Sequence, residues 1–249
     1  MKRIGIMSAM VEEMDSLLES LKTDEVVTIG QREYHVGKLW DKDVVLVFSR
    51  WGKVAASSTT TTLITEFKVD EIIFTGVAGA VDSKVKIGDI VVAEELFQHD
   101  FDASPFLLKH VLPLILKKEI GTNPFVRNRL YDACSNFVDN QIEDVISEEY
   151  LDEYKITKPK VLLGNIASGD QFIKDSEKRD EIKSSLDNVL AVEMEGAAVA
   201  QVCYEFGIPL GVIRTISDDA NDNAIKDFPK FVYNIASQYS FQIVKNYLS

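Results

Sequence analysis

Two glutamates spaced two apart, Glu193 and Glu195, follow the apolar run Val189 to Val192 and precede the small residues Gly196, Ala197, Ala198 and Ala200. An aliphatic strand that gives way to a small-residue helix is a strand-to-helix junction. Carboxylates at the exit of a buried strand are costly unless they bind something. A purely structural role for Glu195 is open too, since a negative charge suits the first turn of a helix. Other strand exits carry comparable groups: SAMVEE with Glu12 and Glu13, TGVAGA from Thr75, SGDQF from Ser168, and SDDA from Ser217. Glu13, Glu195 and Asp218 thus stand at three different exits. Three acids around one cleft suit cleavage of a glycosidic bond, in which one protonates the leaving group, one activates water and one holds sugar hydroxyls.

The elements that must position these acids read as alternating strands and helices. Strands are predicted at Arg3 to Met7, Tyr34 to Leu39, Val44 to Phe48, Glu71 to Phe74, Ile90 to Glu94, Val161 to Ala167, Val189 to Val192 and Leu210 to Ile216. Helical spacing predicts helices over Val11 to Leu21, Gly52 to Phe67, Asn123 to Asn140, Ser176 to Leu186, Val199 to Phe206 and Phe228 to Tyr247. Asp41-Lys42-Asp43 reads as a hairpin turn, Thr75 to Ala80 as a glycine turn, Phe97 to Asn123 as loop plus irregular helix, and residues 141–160 as a surface excursion. The alternation implies a largely parallel sheet, whose ligands bind outside the carboxyl ends of the strands. No repeat, low-complexity tract or linker divides the chain, so one domain over residues 1–249 is expected.

Composition narrows the function classes. Of 249 residues, 27 are Lys or Arg and 40 are Asp or Glu, a net charge of −13 that disfavours nucleic acid and anionic membranes as partners. Cys134 and Cys203 lack metal-like spacing, and Cys203 falls on an apolar helix face. The start, MKRIGIMSAMVEEM, is too charged for a secretory leader. No apolar run approaches the roughly 20 residues that span a bilayer. A soluble, cytoplasmic protein is expected. The chain has no G-x-G-x-x-G turn after its first strand, no P-loop and no G-x-S-x-G elbow. His99 and Asp100 lack a third ligand at metal spacing, and a structural or interface role is expected for His99. Neither a metal nor a cofactor is predicted.

SAMVEEM, TGVAG, FQHDFD from Phe97, SGDQF, AVEMEGAAVAQVC and RTISDDA, in that order, together resemble the 5′-methylthioadenosine/S-adenosylhomocysteine nucleosidases. The resemblance runs from Lys2 to the C-terminal helix and is weakest between Leu107 and Lys160. It implies the nucleoside phosphorylase fold, an α/β single-domain, three-layer architecture with a central mixed, partly closed sheet flanked by helices. It implies a homodimer without metal or cofactor, acting on small adenine nucleosides. Carried onto this chain, it makes Glu13 the acid that activates water, with Glu12 the lesser candidate. Glu195 would hold the ribose hydroxyls beside Met194, and Asp218, with Ser217, would protonate purine N7. Phe172 would stack on the base and the Ile173 backbone would read its edge. Val77, Ala78 and Gly79 would line sugar and base, with Arg214 near the acids that bind water. Met10 and Phe228 would border the 5′ substituent, and Phe106 would reach into the partner's site.

Three departures from the family pattern stand out. Val77 replaces a common serine. Arg50-Trp51 precedes the Gly-Lys-Val turn where small or aliphatic residues are usual, which puts Trp51 near the purine or 5′ region. The 107–123 stretch lacks the glycine-rich loop of some relatives. A phosphorolytic relative, an aminofutalosine nucleosidase and a non-catalytic nucleoside-binding protein are the alternative readings.

Overall fold

The computed structural model describes residues 2–113, 115–220 and 228–249, with the side chain of Phe228 outside that set. The chain begins with β1 (Arg3–Ser8), α1 (Asp15–Ser20), β2 (Lys22–Ile29), β3 (Arg32–Leu39), β4 (Lys42–Phe48), α2 (Lys53–Thr65) and β5 (Glu71–Thr75). The aliphatic β1 pairs in parallel with β4 on one side and β5 on the other, so it is buried on both faces. β3 continues the sheet antiparallel to β4, through a turn in which Trp40 and Asp41 take φ of 46° and 65°. Two successive positive φ values suit the twist of a two-residue hairpin, so the turn lies one residue earlier than Asp41 to Asp43. β2, an edge strand mostly exposed along its length, was not expected from sequence. It lacks the buried alternate face that would mark it as a strand.

The predicted first helix is shorter than expected, because residues 11–14 form a turn and α1 starts at Asp15. That turn directs Glu13 inward, at 1% exposure. In α2 the threonine side chains bond back onto their own helix. The hydroxyls of Thr59, Thr60, Thr61, Thr62 and Thr65 each donate to the carbonyl four residues back, at 2.8–2.9 Å.

The rest of the chain comprises β6 (Val77–Ala80), β7 (Ile90–Gln98), β8 (Glu119–Gly121), α3 (Pro124–Asn140), α4 (Ile142–Val145) and α5 (Glu148–Glu153). There follow β9 (Val161–Ser168), α6 (Ser176–Ser185), β10 (Val189–Glu193), α7 (Gly196–Phe206), β11 (Leu210–Asp218) and α8 (Phe228–Phe231), then a π-helical turn (Val232–Ala236) and α9 (Ser237–Leu248). The strand order is β2-β3-β4-β1-β5-β11-β6-β10-β9-β7-β8, and an extra antiparallel pairing joins β7 to β11. β11 is therefore shared: Leu210 to Val212 pair with β5, while Thr215 to Asp218 pair with β6 inside a closed ring of β11, β6, β10, β9 and β7. This is the partly closed mixed sheet expected, with helices packed on its faces.

Three expectations are corrected here. Val77 to Ala80 is a strand rather than a glycine turn, entered through Gly76 at a φ of 155° that disfavours other residues. Phe97 to Asn123 includes the end of β7 and the short β8 instead of irregular helix. Residues 141–160 are not only surface: Ile142, Ile146 and Ile156 are buried in the main core. The final helix is interrupted by the π turn. α3 starts as the Asn-Pro pair predicts, with the Asn123 side chain accepting from the N–H groups of Phe125 and Val126. No helix among the described residues is long and apolar enough to cross a membrane.

α3 and α9 close one face of the sheet through Phe137, fully buried, whose ring meets Tyr239 edge-on at a 4.7 Å centroid distance. Phe137→Ala is expected to cost about 3–5 kcal/mol in urea unfolding, because the cavity it leaves lies between rigid helices. A loss below about 1 kcal/mol would show that this face repacks freely.

Candidate active site

The carboxyl ends of β1, β9, β10 and β11 and the strand β6 open onto one cavity of about 460 Å³. Glu13, Glu195 and Asp218 all border it, although they are far apart in sequence. Met10, Trp51, Val77, Ala78, Gly79, Phe172, Ile173, Met194, Arg214 and Ser217 line the same space. Glu12 is exposed and lies outside it, so the turn after β1 presents Glu13 alone to the cavity. The side chain of Phe228 is outside the described residues, while its neighbour Pro229 lines the cavity. Phe106 does not line it and is 91% exposed.

Each acid has a distinct environment. One oxygen of Glu13, Oε2, accepts from the Ser8 hydroxyl and from the Met10 N–H at 3.2 Å. The other, Oε1, is buried without a hydrogen-bond partner among the described residues. Burial pushes the Glu13 carboxyl up to about 7, against the opposing pull of Ser8, Arg214 and Met10. Gly76 beside it takes a φ of 155°, which strains other residues, and a Cβ there would also crowd Glu13 Oε1 at 3.3 Å.

Glu195 is the N-cap residue of α7, and its Oε1 accepts the Gly52 N–H at 2.8 Å. Burial, then the neighbouring Glu193, raises its carboxyl well above the ordinary carboxylate range. A carboxyl so placed holds a proton readily near neutrality. Hydroxyl donors or a cationic centre in the cavity would return it to the ionised state. Asp218 ends β11 at a register shift opposite β6. Its carboxyl accepts from the Ser217 hydroxyl at 2.7 Å and the Ala220 N–H at 2.8 Å. Burial raises it nonetheless.

The sequence marks Glu193 at the strand exit without assigning it a role in the site, and it proves central to the arrangement. Its carboxylate accepts from Arg214 at 2.7 Å, from the Ser168 hydroxyl, and from the N–H groups of Gly196 at 2.8 and 3.0 Å and Glu195 at 3.2 Å. Arg214, 1% exposed, also donates to the carbonyls of Phe74 and Ile213 and lies over the Phe74 ring. Arg214 is thus near the acids, as expected, but engaged by Glu193. Gln171, Gly76, Ala9 and Val192 complete the lining and were not anticipated individually. Gln171 and Gly76 lie within the SGDQF and TGVAG motifs, so the strand-exit signal extends to them. His99 is buried against Gly169, where a Cβ would overlap its ring, and burial lowers its basicity.

The chain belongs to the phosphorylase superfamily, whose family model matches residues 3–249. It is 36% identical over 246 residues to an aminodeoxyfutalosine nucleosidase of Helicobacter pylori, covering 98% of this chain and 97% of that protein. It is 34% identical over 234 residues to the 5′-methylthioadenosine/S-adenosylhomocysteine nucleosidase of Staphylococcus aureus, with 94% and 93% of the two chains covered. Among solved structures, the Streptococcus pneumoniae MTA/SAH nucleosidase in complex with 8-aminoadenine superposes with a TM-score of 0.84. That pair is 32% identical over 100% of this chain and 99% of the other.

Removing the guanidinium would leave Glu193 charged and buried without its counter-ion. Arg214→Met is expected to lower unfolding free energy by about 3–5 kcal/mol. Adding Glu193→Gln should recover a substantial part of the loss, which a double-mutant cycle in urea would measure. Fully additive losses would contradict the pairing.

Proposed function

We propose that the chain is an N-glycosyl hydrolase that releases adenine from 5′-substituted adenine nucleosides. The observation that carries this is the convergence of Glu13, Glu195 and Asp218 on one largely apolar cavity, each carboxyl raised by burial. In this reading the C1′–N9 bond breaks with its electron pair going to the purine, and Asp218 delivers a proton to N7 so that adenine leaves neutral. Ser217 steadies that carboxyl. Glu195 accepts from the ribose hydroxyls and, once ionised, stabilises the oxocarbenium-like sugar. Water adds to C1′ and gives its proton to Oε1 of Glu13, the oxygen without a hydrogen-bond partner among the described residues. Solvent then resets the two carboxyls.

Phe172 and Ile173 hold the base, Met194, Val77, Ala78 and Gly79 surround the sugar, and Met10 and Trp51 border the 5′ substituent. Methylthioadenosine and S-adenosylhomocysteine are the substrates this reading favours, within methionine salvage and removal of S-adenosylmethionine by-products. An aminodeoxyfutalosine-type nucleoside is the second reading, supported by the 36% identity to the Helicobacter pylori protein. Water is favoured over phosphate as the nucleophile, because Arg214, the one cation lining the cavity among the described residues, is already paired with Glu193. A phosphate would meet carboxylates there.

The proposal extends to a homodimer in the cytoplasm. The exposed apolar side chains of Phe106, Val54 and Leu108 support pairing with a second copy, with Phe106 completing the partner's 5′ pocket. Both cysteines are free and buried, in keeping with a reducing compartment.

Adenine release from 5′-methylthioadenosine, S-adenosylhomocysteine, 5′-deoxyadenosine and an aminodeoxyfutalosine-type nucleoside is expected to proceed without phosphate. A requirement for phosphate would refute hydrolysis. Glu13→Gln should slow turnover by about 10²–10⁴-fold. Because Glu13 acts ionised, kcat/KM should fall about tenfold per pH unit below about 7. Because Asp218 acts protonated, it should fall again on the alkaline side, and a flat profile would remove both roles. Light scattering should give twice the 27.9 kDa chain mass, and Phe106→Ala should raise KM with little change in kcat. A monomer with full activity would exclude the shared pocket.

A further inference from the structure

The turn between β4 and α2 lies at the cavity edge and carries both Trp51 and the Gly52 N–H that meets Glu195. Gly52 takes a φ of 90°, and the turn is fixed from outside the cavity. The next N–H along, that of Lys53, is received by Asp170 Oδ1 at 2.8 Å. The Lys53 ammonium reaches Asp100 Oδ1 at 2.5 Å and Gln98 Oε1 at 3.1 Å. The second oxygen of Asp100 accepts the Asp170 N–H at 2.9 Å. Asp170, Lys53 and Asp100 thus form a closed clasp joining the β4–α2 turn, the end of β7 and the β9 exit that bears Phe172. None of the three lines the cavity itself.

Resting on the nucleosidase reading, we propose that Asp170, braced by the Lys53–Asp100 pair, is a positioning residue: it orients the Gly52–Lys53 backbone so that the Gly52 N–H stays aimed at Glu195. Geometry favours this over a general structural role. Successive N–H groups of one tight turn are taken by two carboxylates, and their peptide planes meet at the Gly52 Cα, so loss of the Asp170 acceptor lets φ and ψ of Gly52 relax and its N–H turn away from Glu195. Around Glu195 the remaining charged groups are Glu193 and Glu13, which disfavour its ionised form, and Arg214, which favours it. The Gly52 N–H is the direct donor to its carboxylate, and Arg214 is committed to Glu193.

The Asp170 side chain is 51% exposed, so truncating it removes the acceptor without opening the core. Asp170→Ala is expected to lower kcat about tenfold with KM within about threefold, and to move the acidic limb of the kcat profile up by about one pH unit. Asp170→Asn, which keeps an oxygen at the same place, should retain most of the wild-type kcat and its profile. Lys53→Met should reproduce the alanine effect in weaker form and serves as the second variant should Asp170→Ala unfold. A carboxyl ¹³C titration of Glu195, assigned with Glu195→Gln, reads the same displacement without turnover. An unmoved Glu195 midpoint in folded Asp170→Ala would overturn the clasp, as would an asparagine variant as impaired as the alanine one. Absence of adenine release by the wild type would instead refute the nucleosidase reading, leaving the ¹³C comparison to decide the clasp.

Discussion

One buried ion pair makes the cavity possible. Among the described residues four carboxyl groups, those of Glu13, Glu193, Glu195 and Asp218, border a single space, and the only cation lining it is Arg214. Moving several carboxylates out of water without compensation is prohibitive. Arg214 compensates one of them fully, through a 2.7 Å contact to Glu193 with both side chains almost inaccessible to solvent. Its positive charge also acts on Glu13 and Glu195, opposing the burial that raises them. A pair of this kind adds little net stability over an apolar replacement. Its value here is the residual imbalance, which leaves Glu13 and Glu195 raised toward neutrality, where acid–base chemistry works.

That pair depends in turn on the shared strand. β11 leaves the open sheet at Val212 and enters the closed ring at Thr215. Arg214 lies at the crossover, donating to carbonyls of β5 and of its own strand while facing β10. The same strand delivers Ser217 and Asp218 at its end. Glycines at the exits let backbone and carboxyl groups approach closely, as Gly76 does beside Glu13. The helices bury the outer faces and leave the strand exits accessible, so the fold places chemistry and stability on different surfaces.

Much of this was legible in the residues. Buried strands read as plain aliphatic runs, and their exits stood out because acids, glycines and an aromatic interrupt them. Glu13, Glu195 and Asp218 could be picked out for that reason, and Asn123-Pro124 announced its helix through capping chemistry. β2 was invisible because neither of its faces is consistently buried. Val77 to Ala80 was masked by Gly76 and Gly79, which bracket Val77-Ala78 and read as a turn. The importance of Glu193 could not be read locally. One residue decides whether a strand-end acid is free or engaged, and its partner lies on a strand 21 residues away. Trp51, Met10 and Phe172 lie at the cavity, and Phe106, expected at a partner's site, lies outside it and is exposed.

On the proposed reading, Glu13, Glu195 and Asp218, which border one cavity, would each face a different part of a bound adenine nucleoside. A crystal structure with a non-hydrolysable 5′-methylthioadenosine analogue tests it most directly. The account predicts the Asp218 carboxyl within about 2.6–3.2 Å of purine N7. It also predicts Glu195 on the ribose hydroxyls, and a water between Glu13 Oε1 and C1′ on the face away from the base. An analogue bound elsewhere, or one whose N7 faces solvent while Asp218 keeps only its Ser217 and Ala220 partners, would contradict it.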